Sequence, residues 1–242
     1  MTGTVGPATP ASPLHRDLLA LLEALERLEH DLFGGLSADA REAHATGSWS
    51  ARDVRAHLAA WRGIEARRLR ASLRDGAPAD AGDPAPGDPV DEANARLHAE
   101  RAGWSWEAVA DDADDSLHAL REAVAASEVD VLCECDGTVA GIGANGVNHG
   151  IAHLSDVALL AGEEAAARYA AFSREVEAIL VRNHLPPRDS GVLLYNLACH
   201  AGLTGDVAEA RRLLHEAISR RHELADAAQE DPDLAALRAA SD

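Results

Sequence analysis

Leucines recur at helical spacing almost from the start of the chain. Leu14, Leu18, Leu21, Leu22, Leu25, Leu28 and Leu32 mark one face until Gly34-Gly35 ends the run. Ser12-Pro13 supplies an N-cap and a proline at the first helical position. A second helix is predicted from Ser50 to about Leu73, because Ser50-Ala51-Arg52-Asp53 reads as a capping box. Val54, Leu58, Trp61 and Leu69 are its apolar stripe. Residues 75–89 hold four prolines, three glycines and four aspartates, the composition of a loop. A third helical region spans Val90 to Ser127 and breaks near Gly103, where Ser105 can cap a second segment. Val129 to Ile142 has strand character with a turn at Asp136-Gly137, a short hairpin or an extended loop. A fourth helix runs from about Ala144 to Gly162, with Val147, Ile151, Leu154 and Ala158 on one face. Four such helices suffice for a bundle, where ligand sites form between facing helices.

Beyond Gly162 a charged helix leads to the stop Leu185-Pro186-Pro187. Leu194, Leu197, Ala198, Gly205, Ala210, Leu214 and Ala217 then fall at the large, small and turn positions of one tetratricopeptide-like repeat, at about 190–222. His222 stands where its closing proline belongs, and a lone repeat must pack on the helices before it. The expected organisation is a tail at 1–12, a helical bundle at 13–162 and a helical C-terminal segment at 163–242.

Composition narrows the function. The hydrophobic fraction is 47% but only 3% of residues are aromatic, which suits close-packed helices better than a β-sandwich. All 22 basic residues are arginine, against 41 acidic ones, a formal charge of −19. That balance disfavours binding to nucleic acid or an anionic membrane. Three cysteines make no disulfide framework, no signal peptide is visible in Met1–Pro13, and no stretch is long and apolar enough to span a bilayer. A cytoplasmic protein is expected.

The candidate chemistry lies in histidines. His149 and His153, four apart, project from one helical face and can share a metal ion. His57, between Val54, Leu58 and Trp61, could bring a third imidazole and leave one coordination position open. With 12 histidines such a pair is expected by chance, and three separate interface histidines would have the same spacing. Asp53 and Asp156 stand close enough along their helices to orient an imidazole, although capping already accounts for Asp53. Trp49 and Trp61 could line a pocket beside the metal or simply fill the core. Cys133-Glu134-Cys135 lacks the second pair a thiolate site needs, and alternation on a strand explains it. Cys199 reads as core. His98, His118, His215 and His222 lie among charged residues and read as solvated. Gly141 to Gly146 follows no convincing strand, so it makes no dinucleotide site.

Gly47-Ser48-Trp49-Ser50-Ala51-Arg52-Asp53-Val54-Arg55-Ala56-His57-Leu58-Ala59-Ala60-Trp61 resembles the second-helix signature of the DinB-like superfamily. Asn148-His149-x-x-x-His153 is similar to its fourth-helix element, and the stretch from Asp91 to Asn94 through Ser105 to Val109 looks familiar from actinobacterial-type members. The likeness covers roughly residues 12–162. It implies an all-α fold, a DinB-like four-helix bundle, here followed by the small TPR-like hairpin, and a divalent metal on His57, His149 and His153. Zinc or nickel comes first, with iron and manganese also compatible. The implied chemistry is transfer of a low-molecular-weight thiol to a small electrophilic substrate, or its hydrolysis. The alternative from another class is a non-catalytic protein that sequesters a small toxic ligand or docks a protein partner through its C-terminal helices. A homodimer through a helix face is compatible with either.

Overall fold

The computed structural model describes residues 12–73, 83–84, 88–127 and 138–240. The described chain is all-α apart from one two-stranded ladder. Its elements are α1 (Pro13–Gly34), α2 (Ala38–Glu42), β1 (His44–Thr46), β2 (Trp49–Ser50), α3 (Ala51–Ser72), α4 (Val90–Arg101) and α5 (Trp106–Ala126). They continue with α6 (Thr138–Gly141), a π-helical segment (Ile142–Asn148), α7 (His149–Ala161) and α8 (Glu163–Leu180). The end of the chain forms α9 (Pro187–Leu203), α10 (Val207–Arg220), α11 (Leu224–Glu230), a 3₁₀ turn (Pro232–Leu234) and α12 (Ala235–Ala239).

Local chemistry sets these boundaries. Ser12 Oγ accepts from His15 N ahead of Pro13, starting α1. The Ser50–Asp53 capping box forms in both directions and starts α3. Ser105 caps α5 by accepting from Ala108 N. The strand reading of Val129–Ile142 is corrected over Thr138–Ile142, which is helical; the rest, with Cys133 and Cys135, lies outside the described residues. The β1–β2 ladder, pairing His44 with Ser50 and Thr46 with Trp49, has no periodic apolar pattern to announce it.

Contacts along α1, α3, α5 and α7 fix their directions. His15 of α1 meets Val124, while Phe33 at the other end packs on Trp106, so α1 and α5 are antiparallel. Arg55 reaches Asp114, and Arg70 donates to the Ala119 carbonyl, so α3 and α5 run the same way. His57 faces His153 and Trp61 faces His149, so α3 opposes α7. Gly146 lies on Leu22 and Gly150 on Leu25, which makes α1 and α7 parallel. The order is therefore up, down, down, up, and the like-directed α3 and α5 need a crossover, which carries α4. Gly146 and Gly150 are what let α7 approach closely: a Cβ at Gly150 would stand 2.6 Å from Leu25 Cδ2, and one at Gly146 2.8 Å from Leu120 Cδ2.

The core continues without a break from Leu18 to Leu237. α8 lies along α1 through Arg27–Glu175 and through Asp17, which accepts from Arg182 Nη1 and pairs with His184 Nδ1. Then α9 and α10 form a hairpin turned at Gly205 (φ +81°), with Asp206 accepting from Glu209 N. Leu194, Leu197, Ala198, Ala210 and Ala217 are buried in it, while Leu214 is half-buried. A small separate cluster of Ala60, Trp61, Ile64, Ala93 and Leu97 holds α4 on α3.

A candidate metal centre between α3 and α7

The capping box directs α3 so that His57, Trp61 and Glu65 follow one another at four-residue steps toward α7. Opposite them stand His153, His149 and Asn145, at the same step in reverse order. The π-helical segment ends at Asn148, immediately before His149. Such segments concentrate at functional sites, since they shift side-chain register within a continuous helix.

The three sequence-nominated histidines meet. Ring centroids are 5.1 Å apart for His57–His153, 5.3 Å for His57–His149 and 6.0 Å for His149–His153. Imidazoles ligating one ion at zinc-like bond lengths and tetrahedral angles would have centroids about 5 Å apart. Two sides of the triangle match that spacing and one is wider. The nitrogens are less gathered than the rings, and no choice of one per ring places all three within 4.8 Å of one another. Ring rotation would have to draw them together. The donor set suits a divalent cation, and the buried Nδ1 of His149 has no partner.

Burial disfavours protonation of all three rings. His57 is pushed down to about 2 by burial, then by the charges of His153, His149 and His98. His149 is lowered to about 4 by burial, then by His153 and Arg62. His153 is lowered by burial, against the opposing charge of Asp156. At neutral pH they are three uncharged donors with lone pairs to give.

Both tryptophans border this cluster. Trp49 lies 4.7 Å from His57 and 6.3 Å from His153, and Trp61 lies 6.5 Å from His57 and 5.9 Å from His149. Trp61 Nε1 donates to Asn94 Oδ1 at 3.0 Å, tying α4 to the site. Asp53 is engaged elsewhere than on His57: it accepts from Ser50 N and Ser50 Oγ, and its other oxygen lies 3.5 Å from His98 Nε2. Burial pushes its carboxyl up, but the Ser50 bonds and the His98 and Arg52 charges outweigh that and hold it low. Asp156 accepts from Thr46 Oγ1 at 2.5 Å and reaches His153 only through its charge.

Several groups at this site escaped the sequence reading. His98, read as solvated, stacks on Trp49 at 5.9 Å with its plane 3° from parallel. Glu65 is buried one turn past Trp61 and accepts from Asn145 Nδ2 at 3.0 Å. Burial raises its carboxyl against that bond and the Arg68 charge. The i+4 and i+8 steps from His57 could have nominated Trp61 and Glu65 together. Nothing along the sequence could have placed α4 against them.

No family model matches this chain, and no curated protein or solved structure matches it either.

Another group among the described residues does have ligand atoms within 4.8 Å of one another: Cys199, Asp231 and Asp233. Two of its three side chains are already committed. Asp231 Oδ2 accepts from Tyr195 Oη at 2.7 Å and from Cys199 Sγ, while Oδ1 accepts from Asp233 N and caps the 3₁₀ turn. Burial and these carboxylates push the Cys199 thiol far up, so it stays protonated. The arrangement explains a helix junction without a cation.

Proposed function

We propose that the chain is a DinB-like protein with a four-helix bundle and a three-histidine divalent-metal site, acting as a metal-dependent enzyme on a small electrophilic molecule. The observation that carries this reading is the convergence of His57, buried, with His149 and His153, half-buried, from two facing helices as neutral imidazoles. The sequence likeness around Trp49–Trp61 and Asn148–His153 supports the same assignment.

His57, His149 and His153 would hold the ion, zinc or nickel first. When bound, the ion supplies a Lewis acid that lowers the pKa of a low-molecular-weight thiol or of water. Uncharged ligands leave its full positive charge for that purpose. The chain's own contributions are positional. Trp49 and Trp61 flank the imidazoles with apolar rings that exclude water and offer flat surfaces to a substrate. Asp53 and His98 set a polar edge beside Trp49, where a proton can leave toward solvent.

Protein purified without added metal should contain near-stoichiometric metal, lost in His57→Ala, His149→Ala and His153→Ala. Turnover would then be sought with several low-molecular-weight thiols and a haloarene. A metal-free protein that neither takes up zinc nor changes stability in EDTA removes this reading.

A further inference from the structure

We propose that the cavity between α8 and the α9–α10 hairpin binds a small carboxylate, which takes a hydrogen bond from His200 Nε2 and its counter-charge from Arg174. The site is separate from the imidazole cluster and needs no metal. Its volume is about 290 Å³, near the lower end of small-molecule sites at about 300 Å³.

His200 is 3% exposed, lines this cavity, and has a buried Nε2 with no partner. Its ring is fixed on two sides. Tyr169 lies against its face with centroids 3.9 Å apart, and Ser155 Oγ meets its Nδ1 at 2.8 Å. Ser155 belongs to α7, which among the described residues contributes nothing to the cavity wall. The Nδ1 edge is therefore turned toward α7, and the Nε2 edge is left for the cavity. Ser155 also sets the proton. It is 4% exposed, and His200 is its side chain's hydrogen-bond partner. The Ile151 carbonyl one turn back takes the Tyr169 hydroxyl. If Nδ1 donated, the Ser155 hydroxyl proton and Nε2 would both be orphaned; if Ser155 donates, only an Nε2–H is left over. Burial lowers this imidazole to about 4, so at pH 7 it is neutral and carries that one proton. A buried donor facing a cavity calls for an acceptor inside it.

Arg174 makes the acceptor a charged one. It is exposed at the same cavity and acts on Glu209 through its charge, with no hydrogen bond or ion pair among the described residues. The two carboxylates beside it are engaged. Glu209 accepts from Arg212 at both oxygens, and Asp206 caps α10 by accepting from Glu209 N. In a chain with 41 acidic residues against 22 arginines, an arginine left without a carboxylate is open to one from outside. Leu197, Leu213 and Ala170 complete the wall with apolar surface. That combination suits a carboxylate on a short apolar body, and it does not suit a polyanion, which Asp206 would repel.

Isovalerate and benzoate, with isovaleramide and benzamide as uncharged counterparts, would be titrated into the full chain carrying isotope-labelled histidine. Imidazole resonances locate each probe, and those of His200 are assigned by their loss in Ser155→Ala/His200→Phe. That double variant keeps a ring against Tyr169 and removes both hydrogen-bonding partners together, so no polar group is stranded. At least one carboxylate should saturate below about 1 mM and move the His200 Nε2–H downfield. Its affinity should fall about tenfold or more in Arg174→Gln and in the double variant, and its amide should bind wild type about tenfold more weakly. Absence of a saturable shift at His200 overturns the proposal, since a water then suffices for Nε2. Shifts confined to His57, His149 and His153 overturn it as well. So does wild-type affinity in either folded variant, or an amide that binds as well as its carboxylate.

Discussion

Mild acid should destabilise this protein through its histidines. In the unfolded chain an imidazole protonates near 6.5. Folding lowers His57 to about 2 by burial and neighbouring imidazoles, His149 to about 4 by burial, His153 and Arg62, and His200 to about 4 by burial. Between those values and 6.5 the unfolded state binds more protons than the folded one, so stability rises with pH. The full stability is present above 6.5 and is lost as the pH falls toward the folded values. At pH 5.5 each such group costs about 1.4 kcal/mol, and three together cost about 4 kcal/mol. A typical domain has only about 5–15 kcal/mol in total. Glu65, Asp189 and Asp233 are shifted upward mainly by burial, so they oppose the loss as the pH falls through their folded values. Urea titrations of the metal-free protein at pH 7.5 and 5.5, at one ionic strength, would show the midpoint falling at constant slope. His200→Gln should remove about a third of the effect if the three sites contribute equally. A midpoint unchanged or higher at pH 5.5 refutes the argument.

Other expectations follow from packing and capping. Gly150→Ala gains helix propensity but drives a methyl into Leu25, and should lower stability by about 1–3 kcal/mol in chemical denaturation. Ser50→Ala removes the hydroxyl that accepts from Asp53 N and donates to Asp53 Oδ2, leaving only the Ser50 backbone half of the capping box, and should cost about 1 kcal/mol, read as a lower Tm. Tyr169→Phe removes the hydrogen bond that Tyr169 Oη donates at 2.5 Å to the Ile151 carbonyl within α7, and should cost about 0.5–1.5 kcal/mol while zinc affinity stays at wild type. Asn94→Ala frees Trp61 Nε1 and should speed amide exchange in α4 more than in α5, because α4 rests on a cluster of five residues.

Helix ends were the most legible part of the sequence. Ser12-Pro13, Ser50 with Asp53, and Ser105 each mark a start that the structure has, because a cap is satisfied within three residues of itself. The hairpin at Gly205 was readable for the same reason. Thr138–Ile142 was misread because β-branched residues and glycines there resemble a strand locally, while packing on other helices makes the segment helical. At the candidate site, His57, His149, His153, Trp49 and Trp61 could be named because helical periodicity puts them on facing stripes. His98 could not. Its position depends on which helix lies beside α3, and a crossover between like-directed helices is settled only in three dimensions.

The π-helical segment makes the spacing upstream of His149 a matter of residue count. Deleting one residue within 142–148 would leave His149 and His153 four apart on α7, and the pair would look intact in any alignment. Everything before the deletion would turn by about 100° relative to them, the step of one helical residue. Asn145 would swing off Glu65, and Gly146 would no longer sit where Leu22 and Leu120 need its missing side chain. An insertion there would be as disruptive as a deletion, so this segment should tolerate substitution far better than any change of length.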